Sequence, residues 1–410
     1  RNWTGASTSE TFYTLCDEYG MLVWNDFWIS TEGFNLNPLD EDLFMRNATD
    51  AVRRFRNHPS IAIWCPRNEG YATETLERRL SAMIQKEDVT RRYHPNSRNC
   101  NLRWSGPWHY YKDASVYFSY DAQGFNTEIG SPSVPTAASM RKMMPEADLW
   151  PISDTWHYHD LLNGLKEYVS AVDRLYGKAE SIEDFCRKVQ LINYDSYRAM
   201  FEAWNSNLWS NTSGVLLWMS HPAWPSVEWQ TYSWDYETFG SYYGSKKACE
   251  PVHIQMNLDD NDVVIINTTL EAFEGMTASL DCYDLKGRKI YSYSQKGVNA
   301  EANSRNDLFK ADTEGLAGTY ILRLRLSDRK GRAISVNDYI MRDKDTPDYQ
   351  ALNSVPQARL KARSLKPSAD GRIRFEISNP SDGIALNLKL NLRDRQSGEI
   401  ILPAYFSEGY

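Results

Sequence analysis

The sequence predicts an α/β plus all-β protein: a (β/α)8 TIM barrel followed by immunoglobulin-like β-sandwich domains. Three observations predict it. Short, continuously apolar strands alternate with amphipathic helices up to about residue 250, as in a parallel sheet covered by helices. Several of those strands end in polar residues, as on the C-terminal rim of a barrel. From about residue 252 the pattern changes to alternating or β-branched strands separated by turn residues, as in a sandwich. A doubly wound sheet is the alternative for the first part, but no Gly-rich phosphate loop follows any strand.

The elements follow in order. Residues 7–19 carry apolar positions at helical spacing with Ser or Thr available as N-cap. Met21-Leu22-Val23-Trp24 is a short buried strand that should end at Asn25-Asp26. Residues 40–56 are helical, with Phe44, Ala48, Ala51, Val52 and Phe55 on one side. Ser60-Ile61-Ala62-Ile63-Trp64 is a second buried strand that runs into Cys65-Pro66-Arg67-Asn68-Glu69-Gly70, and residues 72–86 are helical again. Gly124-Phe125-Asn126-Thr127-Glu128 is a weaker strand ending in a carboxylate. Residues 183–208 make one or two long helices, Gly214 to Met219 a last buried strand, and 238–248 a closing helix.

After these come strands at 253–257, 263–267, 278–283 and 320–325, then a linker at 343–355, then strands at 360–363, 373–377 and 386–390. The expected domains are therefore 1–250 for the barrel, 251–345 for one sandwich and 346–410 for a second, incomplete one. The chain opens inside a motif, Arg1-Asn2-Trp3, so barrel strands are expected to be missing from its N-terminal side.

Composition narrows the chemistry. A net charge of -8 argues against nucleic acid or an anionic membrane as partner, and no apolar run reaches the ~18 residues needed to span a bilayer. The six cysteines are widely spaced, with no CxxC and no Cys/His cluster, so neither a zinc site nor a disulfide scaffold is indicated. No metal or other cofactor is expected. The 14 Trp and 25 Tyr fit either a large aromatic core or a sugar-binding cleft. The compartment stays open, with a periplasmic or secreted location favoured if the source is bacterial.

Two strand-end carboxylates, Glu69 and Glu128, are the candidate catalytic residues. Glycosidic hydrolysis needs an acid for the leaving oxygen and, with retention, a carboxylate that traps the anomeric centre. Asn68, beside Glu69, suits a sugar hydroxyl next to that centre. One carboxyl of such a close pair should hold its proton near neutral pH. Asp26 suits sugar hydroxyls, or equally a salt bridge or loop cap. Trp3, Trp218 and Trp224 are candidate substrate-binding aromatics, with a core position as the alternative for Trp218. His157 and His159 alternate as metal ligands would, but no third ligand accompanies them.

These residues sit in ordered motifs. Arg1-Asn2-Trp3, Phe12-Tyr13 through Leu22-Val23-Trp24-Asn25-Asp26-Phe27, Asn57-His58-Pro59-Ser60 through Asn68-Glu69, Gly124 to Glu128, and Gly214 to Trp218 resemble glycoside hydrolase family 2 over nearly the whole chain. Ala223-Trp224-Pro225-Ser226 and Tyr242-Tyr243-Gly244-Ser245-Lys246-Lys247 are similar to the branch of exo-β-D-glucosaminidases and plant-type mannosylglycoprotein endo-β-mannosidases. The resemblance implies Glu69 as acid/base, Glu128 as nucleophile and Trp218 as an aromatic platform. It implies a glycan substrate and a jelly-roll segment upstream in the same protein. β-Mannosidase or β-galactosidase chemistry is the first alternative, and a non-catalytic carbohydrate-binding fragment the second.

Overall fold

The computed structural model describes residues 1–31, 37–160, 163–222 and 224–410. Ala223, within one of the motifs above, lies outside the described residues. The chain divides into two compact units.

The first unit comprises residues 1–107, 123–129 and 213–217. Its elements are α1 (Glu10–Tyr19), β1 (Val23–Ile29), α2 (Glu41–Phe55), β2 (Ile61–Arg67), α3 (Glu74–Glu87), β3 (Arg92–Tyr93), β4 (Gly124–Ile129) and β5 (Thr212–Leu217), whose Thr212 falls in the second unit. The helices begin where side chains cap them. Ser9, Asp40 and Thr73 each accept a hydrogen bond from a first-turn N–H. Phe44, Ala48, Val52 and Phe55 form one buried stripe of α2 and pack with Tyr13, Phe27, Trp64, Leu76 and Leu80. Each large apolar side chain in such a core contributes roughly 1.5–3 kcal/mol. β1, β2 and β3 form a parallel sheet in that order, and β4 is hydrogen-bonded to β5. An isolated parallel bridge joins Asn2 to Asn25.

Two strands run further than expected. β1 continues through Asn25 and Asp26 to Ile29 because both polar side chains are buried and satisfied. Asn25 Oδ1 accepts from Asn2 Nδ2 at 2.8 Å and from the Tyr13 hydroxyl at 2.7 Å. β2 runs through Pro66, where the missing N–H does no harm: β3 pairs only with Ile63 and Trp64.

The second unit holds α4 (Ala137–Met143), α5 (Glu146–Leu149), α6 (Asp154–Tyr158), α7 (Gly164–Tyr176), α8 (Ile182–Ser206) and α9 (Gly240–Ala248). α8 is a single helix of 25 residues. Gly240 and Gly244 let α9 lie against α8. A Cβ on Gly240 would come within 2.5 Å of Gln190 O, and one on Gly244 would run into Tyr194 O.

The β part of this unit has β6 (Val252–Met256), β7 (Asp262–Asn267), β8 (Phe273–Asp284), β9 (Lys289–Ala300), β10 (Ser304–Lys310), β11 (Thr319–Ser327) and β12 (Ala333–Arg342). They form two antiparallel sheets, β10-β7-β6 and β12-β11-β8-β9, around Ile254, Val263, Ile265, Leu280, Leu322 and Leu324. A hairpin of β13 (Lys361–Leu365) and β14 (Arg374–Ser378) follows. The expected strand at 386–390 does not form. Lys389 there donates to Thr238 O at 2.6 Å and pairs with Glu237 at 3.2 Å. Residues 343–355 are not a bare linker: Tyr349 N–H donates to Leu175 O at 2.7 Å, and its ring stacks on Tyr176.

All six cysteines are free thiols, and Cys65 in β2, Cys186 in α8 and Cys282 in β8 are buried. Among the described residues no helix is long and apolar enough to cross a membrane.

Candidate active site

The site grows from alternation along β1 and β4. Trp24 and Asp26 point to one face of β1, and the indole N–H of Trp24 donates to Asp26 Oδ1 at 3.0 Å. On β4, Asn126 and Glu128 share a face. Asn126 Oδ1 accepts from the Glu128 N–H at 3.0 Å, and its amide donates to Gly106 O at 2.7 Å. Gly106 N–H in turn donates to Glu128 O at 2.6 Å. Both ends of the Glu128 backbone are thereby fixed.

Arg1 joins the pieces. Its Nε and Nη2 donate to Asp26 Oδ2 at 3.1 and 2.6 Å, Nη2 also donates to Asn68 Oδ1 at 2.7 Å, and Nη1 donates to Glu128 Oε1 at 2.5 Å. One planar guanidinium thus orients groups from β1, β4 and the turn after β2, which the rigid fork of arginine suits and a lysine would not. Asp26 is buried, and Thr4 N–H occupies it as well at 3.0 Å. Asp26 thus makes the salt bridge that was one of the readings open to it.

Glu69 lies at the turn after β2, with φ at +32°. A non-glycine residue in this region costs of order 1–3 kcal/mol, so the surroundings must hold it. Arg67 does part of this, donating to Asn68 O at 3.3 Å, Tyr71 O at 2.9 Å and Ser30 O at 2.8 Å. Ser97 does more. Its hydroxyl accepts from the Glu69 N–H at 3.0 Å and donates to Asn68 Oδ1 at 3.1 Å, while its carbonyl accepts from the Thr127 hydroxyl at 2.5 Å. The Ser105 hydroxyl donates to Glu69 Oε1. Asn68 Nδ2 donates to Thr31 Oγ1 at 2.7 Å.

The electrostatics are those of a crowded, dry pocket. Burial pushes the Glu128 carboxyl up to about 7; Arg1 opposes this, and the neighbouring Glu69 and Asp26 carboxylates add to it. Burial works against the charge of Arg1, but Asp26 and Glu128 outweigh it and hold the guanidinium above its ordinary value. Burial thus moves the Glu128 carboxyl toward its protonated form in the free protein.

Trp3 sits half-buried in a short turn, Trp3–Gly5. Trp218 and Trp224 belong to the second unit. The Trp218–Met219 peptide is cis, and Met219 N–H donates to Trp229 O at 2.9 Å. Trp224 is exposed and packs on Tyr158 and His159. His159 Nδ1 bonds Pro225 O at 2.8 Å. A cavity of about 1290 Å³ lined by Tyr176, Lys188, Glu237, Lys389 and Tyr410 includes neither Glu69 nor Glu128; Lys188 there pairs with Asp184 and Lys389 with Glu237. Sequence reasoning gives Arg1, Ser97, Ser105 and Asn126 no chemical role. Of these, Arg1 and Asn126 stood in quoted motifs.

Comparisons with known proteins bear on this geometry. The chain matches the models of "Glycosyl hydrolases family 2, TIM barrel domain" over residues 7–208, "Mannosidase Ig/CBM-like domain" over 259–343 and "Exo-beta-D-glucosaminidase Ig-fold domain" over 338–410. It is 30% identical over 354 residues to a mannosylglycoprotein endo-β-mannosidase of Lilium longiflorum, covering 71% of this chain and 36% of that protein. It is 28% identical over 375 residues to an exo-β-D-glucosaminidase of Streptomyces avermitilis, covering 83% and 42%. The crystal structure of the Amycolatopsis orientalis exo-chitosanase CsxA superposes with a TM-score of 0.85 at 23% identity, covering 98% of this chain and 54% of that one. At that identity the likeness concerns the fold. The chain spans well under half the length of these two curated relatives.

Proposed function

Because the chain belongs to glycoside hydrolase family 2, we propose that it carries the catalytic centre of a retaining β-glycosidase. Glu69 protonates the glycosidic oxygen while Glu128 attacks the anomeric carbon. Glu69 then takes a proton from water, which releases the sugar from Glu128. The observation that supports this reading best is the single guanidinium of Arg1 bound to both Glu128 and Asn68. It ties the attacking carboxylate to the neighbour of the acid. Asp26 acts by positioning Arg1, and Ser97 by holding the turn that presents Glu69.

An amino sugar is the substrate class we favour, released from the end of a chain as by an exo-β-D-glucosaminidase. Asp26 and Glu128 share one guanidinium and the Glu69 carboxyl neighbours Glu128, so an ammonium group would offset the excess of acids. A β-mannoside is the second reading, favoured by the 30% identity to the endo-β-mannosidase. Nitrophenyl β-glycosides of glucosamine, mannose and galactose, given to the full-length protein, separate them. Turnover of none, or Glu128→Ala indistinguishable from the parent, overturns the enzymatic reading. A 2-fluoro glycoside of the accepted sugar should label Glu128; a label elsewhere overturns its role.

A further inference from the structure

The loop after β3 is wound around a histidine. His94 is buried, its backbone N–H donates to Trp64 O at 2.9 Å, and its ring lies 5.1 Å from that of Trp24. Each ring nitrogen meets a backbone carbonyl: Nδ1 stands 2.5 Å from Asn96 O and Nε2 3.1 Å from Cys100 O. A carbonyl oxygen only accepts, and a neutral imidazole has one N–H to give. The ring can therefore satisfy both carbonyls only as the imidazolium. Without the second proton, a nitrogen lone pair would face an oxygen lone pair.

What the ring holds is the support of Glu69. Between the two carbonyls the chain passes through Ser97, whose hydroxyl accepts from the Glu69 N–H and donates to Asn68 Oδ1. Arg98 follows, its guanidinium 3.4 Å from the ring centre of Trp104, and Trp104 precedes Ser105, the donor to Glu69 Oε1. The near end of the loop has other ties, since Asn96 Oδ1 accepts from the N–H groups of Arg98 and Asn99 at 2.8 and 2.6 Å. The far end is strained: Cys100 and Asn101 stand at φ of +63° and +73°, a region that non-glycine residues occupy at a cost. Charged and titratable side chains on the elements around the ring are Asp26 on β1, Cys65 on β2, Glu69 in the turn after it, Arg98 and Cys100 on the loop itself and Glu128 on β4. Among the described residues none of these side chains bonds to the ring, whose two partners are backbone carbonyls.

We infer that His94 is a proton-operated positioning residue: as the imidazolium it clamps the loop that presents Glu69, and on losing a proton it releases the Cys100 end. Histidine is the side chain whose charge changes most readily near neutral pH, which suits it to such a clamp. The inference rests on Glu69 as the acid of the proposed reaction, and it adds a pH dependence that belongs to neither carboxylate.

The test compares the full-length protein with His94→Gln, whose amide can donate from one end only, from about pH 5 to about pH 9. At the acid end, kcat on the accepted nitrophenyl glycoside should be about tenfold lower in the variant. The ratio of the two should close toward one as pH rises, because the parent then loses the same clamp. Titration of Glu69 and Glu128 acts on both proteins and cancels. A ratio that stays constant with pH marks a merely structural histidine and overturns the inference. In the parent alone, ring-nitrogen NMR spectra, assigned with single His→Gln variants, should show two N–H groups on His94 that give up one proton over the same span. Hydrogen exchange in residues 95–101, corrected for its intrinsic pH dependence, should quicken with that loss. A ring that keeps one charge state throughout, or exchange that does not follow it, overturns the inference even where His94→Gln fails to fold. Neither readout needs turnover, so a protein inactive on every glycoside would overturn the glycosidase reading and leave the clamp to be judged by these two.

Discussion

Burial holds a proton on Glu128 near neutral pH, against Arg1 and with help from Glu69 and Asp26. Attack needs the ionised form. With a folded value of about 7, activity should therefore rise as pH climbs through that point. The low-pH limb of kcat/KM should centre near 7, as the apparent value of a coupled group. Arg1→Met removes the one influence that lowers Glu128, so the limb should move to higher pH; a limb that stays put would deny Arg1 this role. Ser97 makes a second prediction at this scale. Ser97→Ala leaves the Glu69 N–H unpaired in a buried turn and should cost about 1–3 kcal/mol in unfolding free energy. It should also lower kcat more than it raises KM, since the acid loses its support. The positions of Glu69 just after β2 and of Glu128 near the end of β4 were legible in the sequence, because each carboxylate stands at the end of an expected strand. Arg1, Ser97 and Ser105 were not legible. Their partners lie far along the chain, 127 positions in the case of Arg1 and Glu128, and no local pattern encodes such pairs.

At the level of elements, the α8–α9 packing depends on two glycines one turn apart. Gly244→Ala would drive a methyl into Tyr194 O, a backbone atom that cannot turn aside. The expected loss is upwards of about 2 kcal/mol, read as a lower denaturant midpoint at unchanged slope. The strongly periodic helices were plain in the sequence; α2 and α3 begin within a residue or two of their expected starts. Strand ends were harder. β1 outran its expected end because Asn25 and Asp26, which read as a turn, are satisfied inside the sheet. β9, β10 and β12 were missed, the first and the last for a related reason. β9 is largely exposed along its length, and β12 interrupts its apolar alternation with Asn337, a buried residue whose amide donates to Glu202 at 2.7 Å and to Tyr339 at 2.9 Å.

Across the second unit, α8 and the sandwich meet through a buried ionic cluster. His253 lies between Glu202 at 3.1 Å and Glu250 at 3.0 Å, with Arg198, Lys247 and Tyr339 nearby. Burial disfavours the imidazolium, but the two carboxylates prevail and raise its value above the ordinary 6.5. A raised histidine stabilises the fold fully below its unfolded value, and that contribution fades as pH rises through the folded one. The parent should therefore lose stability as pH rises above about 6.5 more steeply than His253→Gln does, in matched denaturant titrations. Equal slopes would show that the imidazole is neutral throughout. No sequence pattern pointed to this cluster, since its members come from α8, α9 and the turn after it, β6 and β12.

The buried thiols have a use of their own. Cys65, Cys186 and Cys282 sit in a strand of the first unit, a helix of the second and a sandwich strand, and burial raises each thiol, which slows alkylation while the fold is closed. Each is thus a clock for its own neighbourhood. Mass-resolved iodoacetamide labelling of the native protein would time the opening of three places in one experiment, and similar rates at all three would mean that the chain opens as a whole.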